Sequence, residues 1–176
     1  PDAWMSFTPE NCQILKDCIL NLGTDCKNIL EIGIARDHPE FNSTKILLEN
    51  KPKNCTYLGV DIRDLPQYNI PENNQYFLQS DSRDQNRIRS YLKYLGMHHL
   101  DLLFIDGDHS INMFLNDWRY SDLVRPGGYV VFHDTSHHPG PREFFFAIDE
   151  KIFDKSRHCL YDFGIGVARR KNNAIT

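Results

Sequence analysis

Leu102-Leu103-Phe104-Ile105-Asp106-Gly107-Asp108-His109 and, further along, Gly127-Gly128-Tyr129-Val130-Val131-Phe132-His133-Asp134-Thr135 decide the fold. Each is an apolar run that breaks off abruptly at Asp and His. A short continuous apolar run bounded by Gly and polar residues reads as a strand buried on both faces, the signature of a parallel sheet. In an open α/β sheet, ligands bind beyond the carboxyl ends of the strands. Two neighbouring strands that end in carboxylate and imidazole therefore place metal-ligand or acid–base chemistry on one rim.

Working outward, strands and helices alternate. Thr8-Pro9 is a helix start, a capping hydroxyl followed by Pro in the first turn, and Gly23 stops that helix. Asn28 to Gly33 is a buried strand, and Ser43-Thr44 opens the next helix. Strands follow at Thr56 to Asp61 and Gln75 to Leu78. A helix marked by Ile88, Tyr91, Leu92 and Leu95 ends at Gly96. Phe114, Leu115, Trp118 and Leu123 line a further helix, closed by Arg125-Pro126-Gly127-Gly128. The aromatic segment 144–153 reads as helical, with Phe144-Phe145-Phe146 as core packing. Segments 157–162 and 165–169 flank Phe163-Gly164 and read as an antiparallel hairpin. Five βα steps and a terminal hairpin imply an α/β, doubly wound, mostly parallel sheet with one reversed strand. Segments 36–42, 65–74 and 135–142, rich in Pro, Asn or His, are the ones expected to be most mobile.

At 176 residues the chain fits one domain, with residues 1–7 as an N-terminal extension and 8–170 as the core. Hydrophobic content of 40% and charged content of 25% are those of a soluble globular protein. A net charge of −4, with no basic stripe, gives no general attraction to nucleic acid or anionic membrane. No apolar run reaches the roughly 20 residues that span a bilayer. There is no basic-then-apolar leader pattern, and the chain opens at Pro1 rather than Met, as a trimmed chain or a piece of a longer one would. The 5 Cys are scattered without a CxxC pair, which favours reduced thiols and a cytoplasmic location over a disulfide framework or zinc site.

Glu31-x-Gly33-x-Ala35 follows the first strand directly. Gly at that place lets the backbone pass close to a ligand, and the helix opened by Ser43 and Thr44 offers free N–H groups. GxGxxG and GxxxxGK[ST] are both absent, which disfavours a dinucleotide or a nucleoside triphosphate. Asp61 closes the second strand, where a carboxylate can accept both ribose hydroxyls; the plainer reading is a strand-end turn cap. Asp81-Ser82 closes the third and can meet the amino edge of a purine.

These segments, with the closing Phe163-Gly164-Ile165-Gly166-Val167-Ala168, resemble class I S-adenosylmethionine-dependent methyltransferases. The likeness is to the small O-methyltransferase-like group related to macrocin and catechol O-methyltransferases. It implies a Rossmann-like, seven-stranded sheet in the order 3-2-1-4-5-7-6 with strand 7 antiparallel. By the resemblance, Glu31 and Gly33 lie against the methionine part of the cofactor, Ala35 belongs to the same cofactor-binding loop, and Ser43 meets the cofactor's carboxylate. Asp61 holds the ribose, Asp81 and Ser82 border adenine, and Asp106 sits beside the cofactor's amino group. His109 occupies the place of a catalytic base in relatives with an Asp-Gly-x-His segment. Two departures stand out: Ala35 replaces the usual second glycine in a lengthened loop, and Thr135 follows Asp134 where metal-dependent relatives carry a second ligand.

Asp106 and Asp134 supply two hard oxygen ligands suited to Mg2+. His133, His137 and His138 crowd the same rim as extra ligands, acceptor contacts or a solvated loop. Trp4 and Met5 precede the first helix as a cofactor cover or an interface. The function expected is methyl transfer to a hydroxyl of a small molecule such as a sugar, with acceptor recognition expected of 36–42, 135–142 or another subunit, and homo-oligomerisation left open. An NAD-dependent oxidoreductase and a non-catalytic cofactor- or partner-binding domain are the alternatives.

Overall fold

The computed structural model describes residues 6–36, 38–108 and 110–172. His109, Trp4 and Met5 lie outside them. The strands are β1 (Asn28–Ile32), β2 (Thr56–Asp61), β3 (Gln75–Gln79), β4 (Leu100–Ile105), β5 (Val124–His133), β6 (Phe153–His158) and β7 (Ile165–Arg170). The helices are α1 (Pro9–Leu22), α2 (Ser43–Asn50), α3 (Gln85–Tyr94), α4 (Ile111–Trp118) and α5 (Pro139–Ala147). The strands form one sheet in the order β3-β2-β1-β4-β5-β7-β6. β1 to β5 run parallel, and β7 is antiparallel to both β5 and β6. This is the topology that the resemblance implied.

Period-2 alternation along the central strands divides the core into two layers. Leu30, Ile32, Ile105, Val130 and Phe132 point to the layer that takes in Ile88, Leu92 and Phe114 of α3 and α4. Ile29, Leu102, Phe104 and Val131 point to the other, against Leu15, Ile19 and Leu47 of α1 and α2. Because helices cover both faces, every residue of β1 and β4 is buried. Each such apolar side chain contributes roughly 1.5–3 kcal/mol. The pleat stays in register to the strand ends, so the polar residues that follow emerge together on one rim.

Local signals hold where a cap defines them. Thr8 Oγ1 accepts the Asn11 N–H at 3.2 Å and Asn11 Oδ1 accepts the Thr8 N–H at 3.4 Å, with Pro9 in the first turn and Gly23 at φ +59° after the last. Ser43 opens α2 as expected, and Asn42 caps it, its Oδ1 accepting the Lys45 N–H at 2.9 Å.

Four expectations are corrected. The helix expected over 144–153 is α5, Pro139–Ala147, and Phe153 begins β6. The final hairpin is therefore β6–β7, with His158 opposite Ile165 and the segment 159–164 as its connection rather than Phe163-Gly164 alone. Leu115 is 43% exposed and does not line the core as Phe114 does. Residues 125–128 belong to β5, which shifts register against β4 there, rather than to a helix end.

Candidate active site

The loop after β1 turns sharply over the end of β4. Gly33 donates to the Val60 carbonyl at 2.9 Å and Asp106 donates to the Ile32 carbonyl at 2.8 Å. Gly33 sits at φ +79°, and a Cβ there would lie 2.3 Å from the Asp106 carbonyl oxygen. Only glycine meets both demands.

Behind this loop stands Glu31, fully buried on β1. Its Oε2 accepts from Ser43 Oγ at 2.5 Å, and its Oε1 accepts from Thr44 Oγ1 at 2.7 Å and Tyr57 OH at 2.6 Å. Burial pushes the carboxyl up to about 7, although the three hydroxyls pull the other way. Thr44 Oγ1 in turn accepts the Ala35 N–H at 2.7 Å, and Ala35 is held left-handed at φ +48°. Glu31, Ala35 and Ser43 thus also brace the loop internally, tying β1 and β2 to the start of α2.

At the end of β2, the Asp61 carboxylate accepts the Ile34 N–H at 3.0 Å, the Arg63 N–H at 2.9 Å, and Arg63 Nε and Nη2 at 3.0 and 2.9 Å. Burial pushes this carboxyl up, but those four donors outweigh it and hold it below the usual carboxylate range. Asp81 pairs with Arg83, Nη2 to Oδ2 at 2.7 Å, which lowers its pKa. The Ser82 carbonyl accepts Tyr120 OH at 2.6 Å. A cleft of about 360 Å³ runs over these strand ends, lined by Gly33, Asp61, Asp81 and Ser82 of the expected set. Arg36, Ile62, Asp108 and Met113 line it too. Sequence reasoning placed Arg36 only within the 36–42 segment and left Ile62, Asp108 and Met113 unassigned, because nothing in their spacing says which side of a loop faces the cleft. Asp117, fully buried beneath Gly107, was missed too; burial pushes its carboxyl up to about 6.

The two decisive strand ends converge as expected. Asp106, His133 and Asp134 each present one ligand atom, all within 4.8 Å of one another. His133 is 2% exposed, with its ring edge-on to Phe7 at 5.1 Å. Its Nδ1 is 3.2 Å from Asp134 Oδ2 and 3.6 Å from Asp106 Oδ1. Neither ring nitrogen makes a hydrogen bond. Burial alone would lower the imidazole pKa, but the two carboxylates hold it well above its ordinary value. Asp134 takes a left-handed backbone, φ +68°, fixed by its N–H donating to the Gly164 carbonyl at 2.9 Å. Two carboxylates and a buried imidazole, each with one ligand atom in the cluster, make a donor set that fits a divalent cation. A second hollow shares Arg36, Gly107 and Asp108 with the cleft and reaches His138. The Nε2 of His138 is 4.0 Å from Asp134 Oδ1.

A seven-stranded sheet in this order, with a glycine turn after β1 and acidic residues at the ends of β2 and β4, defines the class I methyltransferase fold. Residues 44–135 match a methyltransferase domain family, and the chain belongs to it. An uncharacterized protein of Acanthamoeba polyphaga mimivirus is 32% identical over 69 residues, 38% of this chain and 31% of that protein. Among solved structures, MycE methyltransferase from the mycinamycin biosynthetic pathway, in complex with Mg, SAH and mycinamycin VI, superposes with a TM-score of 0.67 at 18% identity. That match covers 95% of this chain and 50% of MycE, so the chain spans about half the length of that relative. An O-methyltransferase from Bacillus cereus, in complex with SAH, superposes with a TM-score of 0.65 at 18% identity, covering 93% of this chain and 82% of the other. Among the described residues, no helix is long and apolar enough to cross a membrane.

Proposed function

We propose that this chain is an S-adenosylmethionine-dependent methyltransferase that methylates a hydroxyl of a small molecule such as a sugar. The observation that carries the reading is one continuous depression. The cleft over Gly33, Asp61, Asp81 and Ser82 adjoins, through Arg36, Gly107 and Asp108, the hollow that reaches His138. A nucleoside-bearing donor fits the first part and an acceptor the second, side by side, and holding two reactants together is the main requirement of methyl transfer.

Asp61 takes the ribose hydroxyls, Asp81 and Ser82 border the adenine, and Gly33 lets the methionine portion lie against the backbone. Glu31, Ala35 and Ser43 act at one remove, by fixing the loop. Bound S-adenosylmethionine supplies an electrophilic methyl group, and a divalent ion on Asp106 and Asp134 would lower the pKa of an acceptor hydroxyl. His109 takes the acceptor's proton, an imidazole being the side chain that titrates near neutrality. The O-methyltransferase from Bacillus cereus and the Mg, SAH and mycinamycin VI bound by MycE lean the same way.

Isothermal titration with S-adenosylmethionine and S-adenosylhomocysteine tests the reading. Micromolar binding that Asp61→Asn weakens at least tenfold supports it. Absence of binding by a folded sample sinks it and leaves the partner-binding alternative.

A further inference from the structure

Arg36, Arg63 and Arg83 line the cleft and the hollows that adjoin it. Two of these arginines are engaged. Arg63 bonds Asp61 through Nε at 3.0 Å and Nη2 at 2.9 Å, and Arg83 bonds Asp81 through Nε at 3.1 Å and Nη2 at 2.7 Å. Arg36 is exposed and makes no hydrogen bond or ion pair among the described residues. The acids that line the cleft with it already have donors: besides Asp61 and Asp81, Asp108 Oδ1 accepts the Ser110 N–H at 2.8 Å. The fold nevertheless fixes where Arg36 goes. Ile34 is tied through its N–H to Asp61 at 3.0 Å and through its carbonyl to Arg63 Nη2 at 2.5 Å. The Ala35 N–H donates to Thr44 Oγ1 at 2.7 Å, which holds the left-handed turn at φ +48°. That turn carries the Arg36 stem across Gly33, where a Cβ would lie 2.9 Å from Arg36 Cδ. From this position Arg36 lines the cleft, the hollow that reaches His138 and the hollow beside Arg63 alike.

We infer that Arg36 is an anion clamp: its guanidinium binds an oxyanion, a carboxylate or a phosphate, where the donor and acceptor parts of the site meet. A guanidinium presents a planar fork of N–H groups that matches such an anion in two parallel bonds, and it stays charged at any working pH. Either reactant can bring the anion. The methionine end of S-adenosylmethionine carries a carboxylate, and Ser43, the residue expected to meet it, gives its single hydroxyl proton to Glu31. An acceptor that bears a carboxylate or phosphate would reach the same guanidinium from the hollow at His138. The inference deepens the reading above, on which it rests for the identity of the donor but not for the presence of the clamp.

The test titrates the whole chain by calorimetry with three probes. S-adenosylhomocysteine carries the carboxylate, 5′-methylthioadenosine keeps the nucleoside and the sulfur without it, and inorganic phosphate stands for an anion on the acceptor. Arg36→Gln keeps a polar stem over Gly33 and removes the charge; Arg36→Lys keeps the charge and removes the fork. The expected result is that Arg36→Gln weakens S-adenosylhomocysteine at least tenfold and leaves methylthioadenosine within about twofold, which assigns the clamp to the donor's carboxylate. If both nucleosides bind the variant as they bind wild type, but phosphate binds S-adenosylhomocysteine-saturated wild type and not the variant, the clamp serves the acceptor. In either case Arg36→Lys is expected to recover part of the loss. Unchanged binding of all three probes by folded Arg36→Gln would overturn the inference. Equal weakening of the two nucleosides would overturn it too, because Arg36 would then only shape the loop. Should folded wild type bind neither nucleoside, the methyltransferase reading fails. Phosphate binding that Arg36→Gln abolishes would then still support the clamp, and its absence would overturn both.

Discussion

Arg63 lies over Asp61 and fills its carboxylate: three of the four N–H groups that the buried Asp61 accepts come from Arg63, at 2.9, 3.0 and 2.9 Å. A carboxylate offers about four acceptor sites, so ribose hydroxyls can reach Asp61 only when the Arg63 side chain gives way. That side chain is 46% exposed, which leaves it room to swing out, while the ribose hydroxyls would replace its N–H groups on the buried carboxylate. Arg63→Ala is therefore expected to tighten S-adenosylhomocysteine two- to fivefold, and Asp61→Asn to weaken it at least tenfold. Calorimetric titration of both variants checks the pair; weaker binding by Arg63→Ala would show that Arg63 orients Asp61 rather than competing for it.

Gly33→Ala is expected to destabilise the protein by at least about 2 kcal/mol and to abolish cofactor binding. The left-handed backbone alone costs a side chain roughly 1–2 kcal/mol, and the new Cβ would meet the Asp106 carbonyl oxygen at 2.3 Å. Relief would move the loop off the rim. Urea denaturation measures the first effect and calorimetry the second.

The neighbouring Ala35 makes the opposite case. It too is left-handed, at φ +48°, but carries a Cβ that glycine would remove. Strain relief of roughly 1–2 kcal/mol exceeds the roughly 0.4–1 kcal/mol that glycine costs by freeing the unfolded chain. Ala35→Gly is expected to raise stability by about 0.5–1 kcal/mol, seen as a higher denaturation midpoint at unchanged slope. The glycine usual at this place would thus fit the backbone that Ala35 already adopts.

Signals confined to one stretch of chain were legible. β2 runs Thr56–Asp61 as its apolar run says, and the caps at Thr8 and Gly23 bound α1. β6 was displaced because Phe-Asp-Lys-Ser-Arg-His is an edge strand with only Phe153 buried, and it lacks the apolar alternation that betrays a strand. At the site, sequence placed the carboxylates because strand ends are visible as breaks in hydrophobicity. It could not see that Tyr57 reaches Glu31. That contact depends on β1–β2 register, with Leu30 beside Leu58, and on Gly59, where a Cβ would lie 2.7 Å from the Tyr57 hydroxyl. Nor could it choose among His133, His137 and His138, because burial is decided by what packs on them. Phe7, far off in sequence, covers His133.

Glu31 gives the stability of the protein a pH dependence of defined sign. Its carboxyl rises from the ordinary 4.5 to about 7 on folding, chiefly through burial. Between those values the folded chain holds a proton that the unfolded chain has released, so stability falls as pH rises, and above about 7 the loss is complete. For this one group the loss between pH 5 and 8 amounts to about 2–3 kcal/mol. Asp117, raised to about 6, acts in the same direction over a lower window and is unaffected by a change at Glu31. Glu31→Gln removes the titration but keeps the side chain's size. Its lone amide oxygen cannot serve Ser43, Thr44 and Tyr57 alike, so the variant is expected to be less stable than wild type at pH 5. The gap between the two proteins should then narrow by about 2–3 kcal/mol on going to pH 8. Urea unfolding of both at the two pH values checks this; a gap that stays constant would mean that Glu31 remains ionised in its nest of three hydroxyls across the whole range.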